Sequence, residues 1–199
     1  MMYADKGFDR TTSKEVCIAA HTNVAAVNYH FGNKEGLYGA VLVEAHHQLV
    51  SLDTLEAIAG SEDSAEAKLR ALLRQFLARS RGTGPSVGLR VLVRELMAPS
   101  KRAPALIRKA VFPKIQVMLA IIGAVLELPV EHPAVQRAAA FVVLPGIMMV
   151  IAPRDLLRQG LPTLEAQPDV LLDDMTRYVV GGLHSLRIAY QDHANRRES

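Results

Sequence analysis

The stretch that most restricts how this chain can fold is residues 11–37, TTSKEVCIAAHTNVAAVNYHFGNKEGL. Thr12, with Glu15 three residues on, forms a capping box in which each side chain satisfies a backbone donor of the other. A helix over residues 13–20 follows, with Val16, Ile18 and Ala19 on its apolar side. The chain turns at His21-Thr22. Asn23 is the next N-cap, its side-chain oxygen set to accept from a free amide of the following turn. In the second helix, residues 24–31, the helical step sends Val24, Val27 and Phe31 toward a core. It turns Ala25, Ala26, Tyr29 and His30 away, with Asn28 at the edge. A helix that begins with small residues can approach a DNA major groove closely. Alanine can meet a thymine methyl, and Asn28, Tyr29 and His30 can reach base edges or phosphates. On spacing alone, an ordinary pair of surface helices in an all-helical domain fits equally well.

The wider pattern is Gly7-Phe8, Thr11-Thr12 and the unbroken run Asn23-Val24-Ala25-Ala26-Val27-Asn28-Tyr29-His30-Phe31-Gly32-Asn33-Lys34-Glu35-Gly36-Leu37. It resembles the DNA-binding domain of TetR-family transcriptional regulators, and within them the subgroup with a CecR-like effector domain. The resemblance implies an all-α fold with a helix-turn-helix DNA-binding domain over residues 1–45. An effector-binding and dimerisation domain, a helical bundle, then occupies residues 46–199. It further implies that Thr12, Tyr29, His30 and Lys34 contact phosphate while residues 23–28 read bases. With Thr11, the expected DNA-binding set is Thr11, Thr12, Asn23, Val24, Ala25, Ala26, Asn28, Tyr29, His30 and Lys34. The implied partners are a palindromic operator in double-stranded DNA, a small apolar or amphipathic effector that releases the repressor, and a second copy of the chain.

Two departures from the family pattern bear on this. The turn position usually held by glycine is His21, a residue that tolerates left-handed backbone better than most but at a cost. Only MMYADK precedes Gly7, about one and a half helical turns, where the family has a full first helix. A shortened first helix is expected to expose Val16, Val27 and Phe31. Either the chain starts further upstream or the headpiece is compromised. The second case leaves a competing reading, a helical interaction protein related to such regulators that no longer binds DNA.

Composition narrows the classes without choosing among them. Half of the 199 residues are hydrophobic and 5% are aromatic, with no Trp. The core is therefore expected to be built from Leu, Val, Ala, Ile and Met. A net charge of +3 is compatible with a nucleic-acid partner. The first fifty residues carry no basic excess, however: Lys6, Arg10, Lys14 and Lys34 stand against Asp5, Asp9, Glu15, Glu35 and Glu44. Cys17 is the only cysteine, so no intrachain disulfide and no cysteine cluster for zinc is expected. His46 and His47 are adjacent and point apart on a helix. No cofactor or metal is expected. No apolar leader opens the chain, and the longest apolar runs fall short of a membrane span, so a cytoplasmic protein without a membrane partner is expected.

Further along, the apolar repeat from Leu37 to Leu52 predicts one long helix over residues 34–59. An amphipathic helix follows over 64–81, with Leu69, Leu72, Leu73, Phe76 and Leu77 on one side and arginines on the other. Residues 84–88 match G-x-S-x-G, the nucleophile elbow of serine hydrolases. That motif needs a preceding strand, and what precedes it is a helix. Pro85 and Ser86 instead open the next helix, residues 86–97. No convergent nucleophile, base and orienting group is found elsewhere, so the chain is not read as an enzyme. Helices over 104–128 and 133–151 contain Pro113 and Pro145, and prolines inside helices bend them. The expected space between them is an apolar effector pocket lined by Met118, Phe141, Leu144, Met148 and Met149. Arg90 and Arg94, one turn apart, are placed to meet an acidic group of the effector, although surface pairing explains them as well. The last helix, residues 169–190, and the helix over 133–151 are assigned to the dimer interface by the resemblance.

Overall fold

Thr12, Asn23, Asn33 and Ser86 each satisfy a backbone donor that would otherwise go unpaired, and each opens a helix. The computed structural model describes residues 2–80, 86–98, 100, 103–152 and 154–198, and among them all regular structure is helical. The first elements are α1 (Met2–Lys6), α2 (Ser13–Ala19), α3 (Val24–Phe31) and α4 (Lys34–Leu49). Thr12 and Glu15 form the reciprocal capping box. The Asn23 side chain accepts from the Ala26 amide and Asn33 from the Gly36 amide, both at 2.8 Å. His21 takes φ +50° in the turn between α2 and α3.

Then come α5 (Leu52–Gly60), α6 (Ala65–Ser80), α7 (Val87–Met97), α8 (Ala103–Leu126), α9 (Pro133–Ile151), α10 (Arg154–Gly160), α11 (Thr163–Ala166) and α12 (Pro168–Glu198). The single helix expected over 34–59 is not formed. It divides at Val50, which is extended (φ −154°, ψ 128°) and buried. Burying a valine side chain contributes roughly 1.5–3 kcal/mol. The helical hydrogen bonds forgone are worth only about 1 kcal/mol each. At the start of α7 the Ser86 hydroxyl accepts from the Leu89 amide at 3.1 Å, which makes it a cap. Gly84 and Pro85 of the G-x-S-x-G match, and Arg81 of the expected basic face, lie outside the described residues.

The elements form two units that do not follow a single cut in the chain. The first gathers Met1–Ser51 with Pro85–Pro113, and the second Leu52–Gly84 with Lys114–Ser199. In the first unit α7 packs on α4 and α1. Tyr3, Tyr38, Leu42 and Val91 make the main cluster, with Phe8, Val41 and Leu92 against it. Val16 joins it to a second cluster of Cys17, Val27 and Leu37.

In the second unit α6 packs on α9 and α12. The row Leu69, Leu72, Leu73, Phe76 and Leu77 is buried throughout, as its spacing predicts. The Arg70–Asp173 ion pair and the contact of His184 Nε2 with the Glu66 carboxylate at 2.9 Å tie α6 to α12. The hydrogen bond from Arg70 holds the Asp173 carboxyl below the usual range. Lys114 is buried, and burial pushes its ammonium pKa down. Pro113 and Pro145 sit inside continuous helices. The expected opening beside Pro145-Gly146 is filled. A Cβ at Gly146 would lie 2.9 Å from the ring of Phe76, so the missing side chain admits that ring. No described helix is long and apolar enough to cross a membrane.

Adding one methyl at this contact overpacks a closed core. Gly146→Ala is expected to lower unfolding stability by about 1–3 kcal/mol. Denaturant unfolding of the full chain checks it, and a loss within error would mean that Phe76 moves aside freely.

Candidate nucleic-acid interface

α3 has eight residues, well below the roughly 12–15 that an isolated helix needs in water. Its stability comes from its surroundings: the Asn23 cap, and Val27 buried against Cys17 and Leu37. The junction with α4 is as close as backbone allows. A Cβ at Gly36 would lie 1.9 Å from the Phe31 carbonyl oxygen, so only glycine lets α4 begin there. The inner side of α3 is thus gripped through one valine and its end is pinned to α4.

The outer side is open. Ala25, Asn28, Tyr29 and His30 are exposed, Tyr29 by 86%. The Tyr29 and His30 rings meet edge to face at 5.1 Å, a contact that restricts both. Asn23 is exposed beside them with its oxygen used in the cap, while Ala26 is partly buried. Val24 and Phe31, expected in the core with Val27, are about 40% exposed at the helix margins. Thr12 is exposed with its hydroxyl in the capping box. Lys34, the first residue of α4, holds its ammonium 4.2 Å from the centre of the Phe8 ring.

Thr11 is a correction. It is fully buried, and its hydroxyl donates to the Gly7 carbonyl at 2.7 Å. It satisfies a carbonyl at the end of α1 and cannot reach a phosphate.

Arg90 and Arg94 are a second correction. Arg94 donates to the Asp5 and Lys6 carbonyls at 3.1 and 3.4 Å, filling two acceptors that the end of α1 leaves unpaired. Arg90 pairs with the Asp5 carboxylate at 3.9 Å. Both guanidiniums hold α1 on α7 and are not set aside for an effector acid. Next to them Glu95 is buried, accepting from the Tyr38 hydroxyl at 2.7 Å and from the Ser100 amide and hydroxyl at 2.6 and 3.0 Å. Burial, reinforced by that carboxylate, raises the Tyr38 phenol well above its ordinary value. This network was not anticipated from the sequence, because its partners are 57 residues apart and neither sits in a motif.

Of the three residues expected to be exposed by a short first helix, Val27 is buried, Val16 is partly buried and Phe31 is exposed. Helices α1, α2, α4 and α7 border an apolar cleft of about 370 Å³ that includes Tyr3, Val16, Val41 and Val91.

The expected effector pocket is not assembled as drawn. Met118 is buried and Met149 partly so. Phe141, Leu144 and Met148 stand one turn apart on the outside of α9, exposed by 67%, 62% and 58%. The side of α9 that faces the core is carried by Ala138, Val142 and Gly146. Among the described residues, no group of three His, Cys, Asp or Glu is placed to hold a metal ion.

Comparison with known proteins agrees with this geometry. Residues 1–41 match the family model described as bacterial regulatory proteins, tetR family. Residues 65–183 match the model for the C-terminal domain of the HTH-type transcriptional dual regulator CecR. No curated protein matches. Among solved structures, the crystal structure of a bacterial regulatory protein in the tetR family from Rhodococcus RHA1 has a similar fold. The TM-score is 0.62 at 21% identity, covering 90% of this chain and 89% of that one. The matches point to a transcription regulator rather than an enzyme.

The capping box makes the start of α2 acid-sensitive. Hydrogen bonds from Lys6 and from Thr12 hold the Glu15 carboxyl down to about 2. A carboxyl lowered in the folded state stabilises fully above its unfolded value of about 4.3, and the contribution is lost as pH falls from there toward 2. Glu15→Gln keeps an acceptor but cannot titrate, so it is expected to flatten that limb. Amide protection of α2 followed from neutral pH to about 2 checks it; an acid limb unchanged by the substitution would rule the linkage out.

Proposed function

Since the chain belongs to the TetR family of bacterial regulators, with a CecR-like C-terminal domain, and is a DNA-binding transcriptional regulator, we propose that it acts as a cytoplasmic homodimeric repressor. It lays the outer side of α3 in the major groove of a roughly palindromic operator. A small apolar or amphipathic effector releases it. The observation that carries this reading is the two-sidedness of α3: Val27 buried beneath, and Ala25, Asn28, Tyr29 and His30 open above. In this assignment Asn23, Val24, Ala25, Ala26 and Asn28 meet bases, while Thr12, Tyr29, His30 and Lys34 meet phosphates. Residues 1–45 serve DNA binding and residues 46–199 serve effector binding and dimerisation, with α7 of the latter packed into the first unit.

The exposed row of α9 supports the dimer. Phe141, Leu144 and Met148 form an apolar stripe that a lone protomer leaves in water. On α12 of the same unit, Tyr178 and Ile188 are exposed and Gly181 and Gly182 have nothing within 4 Å of a built Cβ, which suits close approach of another helix. We assign these two helices to an isologous interface, whose two-fold axis the operator would share. The effector site lies in the second unit, with Met118 and Met149 as the residues retained from the expected lining. The effector acts by favouring a dimer whose headpiece spacing does not fit successive grooves, and it shifts that equilibrium only through its preference for that state.

Two measurements test the reading. In a binding-site selection on random duplex DNA followed by titration, Asn28→Ala is expected to relax base preference, and Lys34→Ala to weaken all sequences alike and reduce the salt slope by about one. An Asn28→Ala variant with an unaltered selected site would refute the assigned reading side. Separately, Leu144→Glu puts a charge in the middle of the α9 stripe. Sedimentation equilibrium is expected to find a folded monomer with strongly weakened operator binding. A dimer of unchanged strength would move the interface elsewhere.

A further inference from the structure

The ammonium of Lys34 does not stand alone at the start of α4. It lies 4.2 Å from the centre of the Phe8 ring. The Phe8 ring in turn packs on the Tyr38 ring, with centres 5.0 Å apart and planes tilted by 40°. The Tyr38 hydroxyl donates at 2.7 Å to Glu95, a buried carboxylate on α7. Glu95 is itself fixed by the amide and hydroxyl of Ser100. Each step is a direct contact within the first unit, and each member is immobilised by the next. A lysine side chain has four rotatable bonds and, on an open surface, spreads its charge over many positions. A ring face below the ammonium narrows that spread, and the ring's own placement depends on Tyr38.

We propose that Phe8 and Tyr38 are positioning residues for DNA binding. They form a relay from Glu95 on α7 to the Lys34 ammonium that holds this cation where a phosphate is met. The proposal rests on the reading above that Lys34 contacts phosphate. The relay joins α7, a helix from the middle of the sequence, to a group on the DNA side through one hydrogen bond, one ring pair and one cation–ring contact. A thermodynamic cycle between Phe8 and Lys34 measures that coupling directly.

The test uses the full chain and a fluorescently labelled duplex of mixed sequence, titrated over a range of salt. Phe8→Leu is expected to weaken binding about two- to fivefold, the span of a cation–ring contact. The same substitution in a Lys34→Ala background is expected to cost nothing further. Tyr38→Phe keeps the ring and removes the hydrogen bond to Glu95, and is expected to show a smaller loss that also vanishes without Lys34. The salt slope should stay unchanged in Phe8→Leu, which retains the ammonium, and fall by about 0.9 in Lys34→Ala. Proton NMR supplies a readout independent of DNA. The Lys34 ε-methylene is expected upfield of its ordinary position, to return there in Phe8→Leu and to move in Tyr38→Phe. If Phe8→Leu fails to fold by thermal unfolding, Tyr38→Phe and its double variant with Lys34→Ala carry the same cycle. Additive losses, or tighter binding by Phe8→Leu, would overturn the relay while leaving the phosphate contact standing. A salt slope unaltered by Lys34→Ala would overturn the phosphate contact first and the relay with it.

Discussion

Everything on the DNA side of this molecule depends on the grip that the first unit has on one short helix. α3 is too short to hold itself together, and its inner contact is essentially Val27 against Cys17 and Leu37. That leaves its outer side free of structural duty. A longer helix with a wide apolar stripe would be more stable and would have fewer positions available for bases. The backbone contact between Phe31 and Gly36 compensates by locking the end of α3 to the start of α4 without using a side chain of either. The cap at Asn23 does the same at the other end. The segment is fixed at three points and exposed between them.

The second consequence concerns α7. The chain leaves the first unit at Ser51 and returns to it at residue 85. α7 then takes hold of the headpiece at two levels. At the surface Arg94 binds the carbonyls that end α1, and inside, Glu95 accepts from Tyr38 of α4. A buried carboxylate that lost its donors would remain desolvated and unpaired, so this contact is made fully or not at all. A contact of that kind suits the population shift proposed for this regulator, which needs elements with discrete arrangements.

Local chemistry was legible in the sequence and distant pairing was not. Thr12 with Glu15, Asn23, and the bounds of α3 follow from residues no more than four positions apart, because capping and helical periodicity act over that distance. The leucine row of α6 is legible for the same reason. The break at Val50 is hard to read because no glycine or proline intervenes and the apolar repeat runs across it; the local mark is Ser51, a preferred N-cap residue type just before α5. The arginines of α7 look like effector contacts in isolation, but Arg94 is 89 residues from the Asp5 carbonyl it binds. Thr11 reads as a second hydroxyl beside Thr12 until its burial is known. Phe76 and Gly146 are separated by seventy positions, so the ring that packs on Gly146 beside Pro145 leaves no trace in either local pattern. Phe141, Leu144 and Met148 are exposed in the protomer, and the sequence alone does not tell, since a helix that is hydrophobic nearly all round offers no period from which to choose its core side.

Charge in the first unit is unevenly shared between its two segments. Residues 1–50 carry four lysines and arginines against five acids, and one of the four, Lys6, is already paired with Glu15 at 2.8 Å. A headpiece with a strong basic field can rely on counterion release from many loosely placed side chains. Residues 1–50 have no such surplus by themselves; residues 85–113, which join them in the first unit, bring six lysines and arginines against one acid, Glu95, and Arg94 of these is taken up by the carbonyls that end α1. Lys34 opens a helix and rests on a ring that is itself fixed from α7. In the proposed relay a displacement of α7 shifts the Lys34 ammonium through Tyr38 and Phe8, so the phosphate contact proposed for that lysine depends on how α7 sits against α4.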